Sequence, residues 1–362
     1  MVKRALLAAV IATAALVTPA VAATPSTIAV PRPTGRYPVG ASTLHLVDKA
    51  RTDPWAGGPR ELMITLRYPA LPAGRPAPYA TVPEVTALLA DQGIPVDAAL
   101  VAGTRTNARV DAPPLPGRRP LVILSPGFGL PRFTLTGLSE DLASHGYVVA
   151  TVDHAYESVG MALPDGRLLG CEACEVVDGT NAHLVPETRA KDVTFLLDRL
   201  LTSRYARLIH PRQIGMAGHS IGGAAAVEAM RTDRRVRAGA DFDGTIFTPA
   251  TLDRPFLLVD SDRPADPSWT AAWPELTGPK GWRTVAHANH GSFHDVAALA
   301  PQLGFPDDPA LPGARATEIT RGLLLSFLDR YLKGVPVPEP HYPEVRDSAP
   351  NSADRAGLPP QG

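Results

Sequence analysis

Residues 213–230, QIGMAGHSIGGAAAVEAM, restrict the fold more tightly than any other stretch of this chain. Residues 213–217 suit a buried strand and residues 221–230 a helix built from small side chains. Ser220 stands at the junction, with Gly218 before it and Gly222, Gly223 and Ala224 after it. A strand that turns sharply into a helix needs small neighbours, because two backbones meet where side chains would stand. The five-residue pattern Gly-x-Ser-x-Gly is common by chance, and its strand-then-helix setting is what gives it weight. Such a turn would expose Ser220 at a strand end as a candidate nucleophile. A serine that only capped a helix would not need glycine on both sides.

The flanking chain reads as alternating strands and helices. Strand-like runs occur at Thr43–Val47, Glu61–Tyr68, Leu121–Leu124, Tyr147–Val152, Ile214–Ala217, Val236–Phe242, Phe256–Val259 and Arg283–Ala286. Helical patterns occur at 83–92, Thr134–His145, Glu187–Leu201, Ser220–Arg231 and Ala316–Lys333. In Glu187–Leu201 one apolar stripe holds Val193, Leu196, Leu197 and Leu200. Continuous apolar strands separated by amphipathic helices imply an α/β class with a mainly parallel sheet covered on both faces. The main α/β body starts at Arg119. Residues 153–186 read as irregular, and no internal repeat is visible.

Outside this body the chain changes character. Lys3 and Arg4 precede an apolar run over residues 5–17, and Ala20-Val21-Ala22 fits a small-x-small cleavage site. The expectation is a secretory signal over residues 1–22, cut after Ala22, and a secreted mature protein. A membrane anchor is the alternative, but the run is shorter than the roughly 20 residues a span requires. Residues 23–40 form an extended lead, 41–335 the catalytic-type domain, and 336–362 a Pro-rich tail expected to be loose. A net charge of −1 gives no basic excess to suggest nucleic acid. With 44% hydrophobic residues the chain can bury a large core. Cys171 and Cys174 are the only cysteines. Without clustered histidines they make a poor zinc site, and a small structural disulfide in a surface loop is the expectation, with a free pair as the alternative.

A serine nucleophile needs a base, and the base needs an orienting carboxylate. His287, His290 and His294 lie in AHANHGSFHDV after the last core strand. His294 is favoured as base, His290 is second, and His341 falls in the tail. For the acid, Asp241 and Asp243 end one strand, while Asp260 and Asp262 end the next. Spacing alone leans slightly to the later pair. Backbone N–H groups should bind the oxyanion. Ile221, next to Ser220, supplies one, and Phe128 in SPGFG at 125–129 supplies the other.

Several stretches in order now carry a resemblance: LSPGFG at 124–129, DLASHGYVVATVDH at 141–154, GHSIGGAAAV at 218–227, RVRAGADFDG at 235–244, PFLLVDSD at 255–262 and GSFHDV at 291–296. Over residues 40–335 the chain resembles the platelet-activating-factor acetylhydrolase (group VII phospholipase A2) branch of the serine α/β-hydrolases, including its secreted actinobacterial relatives. The resemblance implies the α/β-hydrolase fold. It implies Asp243 as the acid, over Asp262, and His294 as the base. It implies Phe128 and Ile221 as oxyanion donors, and short-acyl lipid esters as substrates. One departure stands out. Animal members carry His before the glycine of the oxyanion loop, where this chain has Pro126. Proline has no N–H, so the local network must differ.

The resulting expectation is a secreted serine ester hydrolase working through an acyl-enzyme, with no metal or cofactor. Its partner would be a small-molecule or lipid ester, with transient lipid-surface contact and no obligate protein partner or nucleic acid. Lipase, cutinase or polyester hydrolase is the alternative. An acyltransferase and a non-catalytic lipid-binding relative are the remaining ones.

Overall fold

In a computed structural model describing residues 27–249, 251–264 and 266–350, an eleven-stranded mixed sheet forms the centre. Its main strands are β1 (Val39–Thr52), β2 (Pro59–Pro69), β3 (Arg119–Ser125), β4 (Val148–His154), β5 (Ile209–His219), β6 (Val236–Phe242), β7 (Phe256–Asp260), β8 (Lys280–Val285) and β9 (Val345–Asp347). They lie in the order β9-β8-β7-β6-β5-β3-β4-β2-β1, followed by the two-residue strands Arg109–Val110 and Arg75–Pro76. From β4 through β3 and β5 to β8 all neighbours are parallel. The β1–β2 hairpin joins β4 antiparallel, and β9 joins β8 antiparallel.

The side-chain period of two splits each inner strand between two cores. In β3, Leu121 and Ile123 enter one cluster while Val122 and Leu124 enter the other. The first cluster is closed by α3 (Leu184–Thr202) and α4 (Ile221–Thr232). The stripe Val193, Leu196, Leu197 and Leu200 is buried there, as its spacing implies. The second is closed by α2 (Thr136–Ser144) and α5 (Gly313–Leu328). A satellite cluster forms around α1 (Val82–Gln92), where Val85 and Leu88 pack with Tyr79 and Phe133. Thr81 opens α1 with a reciprocal capping box to Glu84.

Two readings of the sequence need correction. The segment after 335 is not all loose tail. Val345–Asp347 pairs in register with Arg283–Val285 as the edge strand, and Arg315 holds Glu344 through paired contacts of 2.8 and 2.9 Å. Three residues carry too little apolar pattern to announce a strand. Residues 153–186 are also partly ordered, with a small hairpin pairing Met161–Ala162 with Leu168–Leu169. The expected signal at 1–22 and the end of the tail at 351–362 lie outside the described residues.

β3 sits where the strand order reverses, with β4 on one side and β5 on the other. Loops at the carboxyl ends of strands at such a point form the usual ligand crevice. Here those ends are Ser125 and Gly218, which are directly paired.

Candidate active site

Ser220 has φ 57° and ψ −127°, a left-handed conformation rare for a residue with a side chain. The surrounding glycines explain how the turn closes. A Cβ on Gly218 would lie 2.1 Å from the Gly222 carbonyl carbon, and one on Gly222 would lie 2.0 Å from the Ser125 oxygen. The Ser220 N–H donates to the Phe242 carbonyl at 2.8 Å, tying the turn to the end of β6. Ser220 itself is half-buried and heads the twelve-residue α4. Its hydroxyl has no hydrogen-bond partner among the described residues.

The four aspartates separate by environment. Asp241 is fully buried beneath the turn, accepts from the Gly244 N–H at 2.9 Å, and has its other oxygen unpaired. Burial raises its pKa well above the usual carboxylate value, and neither of its oxygens meets a histidine. Asp260 takes the Trp282 indole N–H at 3.1 Å, and burial raises it too. Asp262 faces away, spent on the His287 N–H at 2.9 Å and on Arg346 at 3.3 Å. Asp243 alone combines burial with a set of donors that favour its charge. Ser261 gives it both N–H and hydroxyl at 2.9 Å, and the Arg263 guanidinium stands 3.2 Å away. Burial works to raise Asp243, but the hydrogen bond from His290, the Ser261 N–H and the charge of Arg263 bring it down to about 2.

The base is where sequence and structure part. His290 Nδ1 lies 2.5 Å from Asp243 Oδ2, whereas His294 reaches neither oxygen of Asp243 by hydrogen bond. The local turn decides this. Asn289 caps a short helical turn over His290–Phe293, its side chain accepting from the Gly291 N–H at 2.8 Å. The turn opens at His290, which stays exposed with Nδ1 toward Asp243 and Nε2 on the opposite edge of the ring. It carries His294 inward against His219, with ring centroids 5.0 Å apart. Burial and the nearby His290 lower His294 to about 4, and its Nδ1 is buried without a partner. His294 packs against His219 and makes no hydrogen bond to Asp243. Burial pushes His219 well down too, and its Nε2–H supports the loop by donating to the His290 carbonyl at 2.7 Å. Among the described residues no group of three His, Cys, Asp or Glu could hold a metal ion, this trio included.

The two expected oxyanion donors follow the ends of adjacent strands, where Ser125 and Gly218 are paired. The N–H groups of Phe128 and Ile221 have no hydrogen-bond partner among the described residues. Ile221 is the first residue of α4, where unpaired N–H groups and the helix dipole favour negative charge. The Phe128 loop is fixed on both sides. Gly129 donates to the Glu157 carbonyl at 2.9 Å, and Leu130 to the Gly127 carbonyl at 3.1 Å. Leu130 and Val159 form an apolar wall beside it and pack on the satellite cluster.

Ser261 and Arg263 escaped the sequence reading. Their only signal was a polar run, Asp260–Arg263, at the carboxyl end of β7. Cys171 and Cys174 are joined in a disulfide three positions apart, Cys174 lying in the short helix Ala173–Val176.

Residues 92–163 match the family described as platelet-activating factor acetylhydrolase, isoform II. The chain is 28% identical to a probable 1-alkyl-2-acetylglycerophosphocholine esterase of Arthroderma benhamiae, covering 87% of this chain and 92% of that one. It is 26% identical to the platelet-activating factor acetylhydrolase of Bos taurus over 41% of each chain. Among solved structures it matches a ferulic acid esterase from Streptomyces cinnamoneus with a TM-score of 0.81. That pair is 43% identical and covers 89% of this chain and 99% of the other.

Proposed function

The chain belongs to the platelet-activating-factor acetylhydrolase-like family of α/β-hydrolase carboxylic ester hydrolases, and from that premise we propose that it works through an acyl-enzyme on Ser220. The observation that carries the mechanism is the Asp243–His290 pair beside the Ser220 turn. Ser220 Oγ attacks the ester carbonyl, and its proton passes to His290 Nε2. Asp243 holds Nδ1–H and balances the imidazolium charge. The carbonyl oxygen, now negative, sits between the N–H groups of Phe128 and Ile221. The C–O bond breaks, His290 returns the proton to the leaving alcohol, and Ser220 is left acylated. Water then attacks the acyl carbon and gives its proton to His290, which passes it to Ser220 Oγ as the Ser220–acyl bond breaks and the acid leaves. The Ser–His hydrogen bond is open in the resting site, as free enzymes often have it, and closes with substrate.

The substrates we propose are short-acyl lipid esters, acetyl esters of glycerophospholipids foremost. Their support is the likeness to the Arthroderma esterase along nearly its whole length. A second reading, esters of ferulic acid, is favoured by the higher identity to the Streptomyces esterase. Turnover of p-nitrophenyl esters by acyl length, beside an acetylated phospholipid and methyl ferulate, separates them. Preference for acetate and the phospholipid supports the first. Preference for the ferulate establishes the second, and better turnover of long chains overturns both in favour of a lipase-like groove. We also propose export. The apolar run at 5–17 and the disulfide support it, because disulfides persist in oxidising compartments. The mature N-terminus in culture medium should be Ala23, and retention of the uncut chain in cells would refute it.

A further inference from the structure

Beneath the Phe128 loop lies a second Ser–His–Asp arrangement that no substrate can reach. Ser125 Oγ is 3.1 Å from His154 Nε2, and His154 Nδ1 is 2.7 Å from Asp192 Oδ2. Exposures of 0%, 2% and 0% for Ser125, His154 and Asp192 exclude a role as nucleophile. Arg189, 1% exposed, completes the chain. Its Nη1 donates to Ser125 Oγ at 3.0 Å and to the Pro126 carbonyl at 2.5 Å, and its Nε to Glu157 at 2.7 Å.

The direction of every bond follows from chemistry. An arginine can only donate, so Ser125 accepts from Arg189 and gives its own proton to His154 Nε2. His154 must then carry its proton on Nδ1, facing Asp192. Burial and the charge of Arg189 lower the pKa of His154, which favours the neutral imidazole that this pattern of bonds uses. Arg60 closes the far side, donating to Asp192 at 2.8 Å, Glu157 at 2.7 Å and Asp53 at 2.8 Å.

Burying so many charges is poor engineering for stability, because each ion loses its hydration and apolar residues would pack as well. The network ends, however, on one functional place. Arg189 grips the carbonyl of Pro126, two residues before the Phe128 donor. It also grips the side chain of Glu157, whose own carbonyl holds Gly129 on the other side of that donor. Pro126 has no N–H, so its carbonyl is its only polar handle. We infer that Arg189 and the Ser125–His154–Asp192 chain are positioning residues that fix the Phe128 N–H for the oxyanion.

This inference rests on the proposed role of Phe128 and Ser220, and one experiment separates the two. In the full chain, Ser125→Ala removes one hydroxyl, and Arg189→Lys keeps the charge but loses the fork. With p-nitrophenyl acetate both should lose roughly 10- to 100-fold in kcat while KM changes little, the scale expected for a misplaced catalytic group. Affinity for a trifluoromethyl ketone, which forms an oxyanion on Ser220, should fall in proportion to kcat/KM. A purely structural role would lower the folded fraction without that proportionality. Variants that turn over like the parent, or lose kcat without losing ketone affinity, overturn the inference. So does a Ser125→Ala chain that cannot fold, since the chain would then serve the core and not the loop. Activity surviving in Ser220→Ala would instead sink the reading of the site itself.

Discussion

His290 and Asp243 meet at 2.5 Å across 47 positions of sequence, from the loop after β8 to the end of β6. His294, four residues later, packs half-buried against His219 with Nδ1 buried and unpaired. The contrast makes the base assignment testable with two like substitutions. His290→Gln should lower kcat on the order of 10⁴-fold or more, the scale of removing a triad base. His294→Gln should leave kcat within about tenfold of the parent, because it only packs against His219. Steady-state turnover of p-nitrophenyl acetate decides it, and the reverse order of effects would return the role to His294.

The acid can be tested in the same way. Asp243→Asn keeps the shape but leaves His290 with the wrong tautomer, a loss on the order of 10⁴-fold in kcat in such sites. Asp262→Asn keeps an acceptor for the His287 N–H and touches neither His290 nor Ser220, so kcat should barely move. Comparable losses in both would mean that Asp262 takes over the imidazole during turnover.

Stability should respond to pH through Asp295, next to His294. Its carboxylate accepts from the Gly137 N–H at 2.9 and 3.0 Å, yet burial raises it to about 7 despite that bond and the charge of Arg321. A folded pKa above the unfolded value of about 3.9 means that the native state holds the extra proton. The contribution to stability is complete below pH ~4 and is lost as pH rises toward ~7, a few kcal/mol at the upper end. Asp295→Asn cannot ionise. Its Tm relative to the parent should therefore climb between pH 5 and pH 8, and a difference that stays flat across that range would show Asp295 to be an ordinary carboxylate.

Much of this architecture was written locally. Runs such as Tyr147–Val152 and Val236–Phe242 are apolar because both sheet faces are covered, and the glycines around Ser220 mark a turn that no other residue would tolerate. What stayed hidden depends on distance or on small turns. His290 and His294 share one loop, and only the Asn289 cap settles which of them meets Asp243. Arg60 contacts Asp192 from 132 positions away, with no spacing rule to announce it. Val345–Asp347 is too short to show a period and gains its strand from β8.

The strain at Ser220 yields a stability prediction that is independent of chemistry. Its φ of 57° with ψ −127° holds a Cβ where the backbone disfavours one, at a cost on the order of 1–3 kcal/mol. Ser220→Ala and Ser220→Gly both delete the proposed nucleophile and should both be inactive. They differ in strain: alanine keeps the Cβ, and glycine releases it at an entropic cost of about 0.5–1 kcal/mol. The glycine variant should therefore melt above the alanine variant by the equivalent of about 1 kcal/mol, measured by thermal unfolding at one pH. Gly244 shows why the surroundings enforce the strain and cannot relax around it, since a Cβ there would lie 2.3 Å from the Ser220 carbonyl oxygen. Equal melting of the two variants would mean that the turn carries no strain at Ser220, and that its hydroxyl is held by the glycine packing alone.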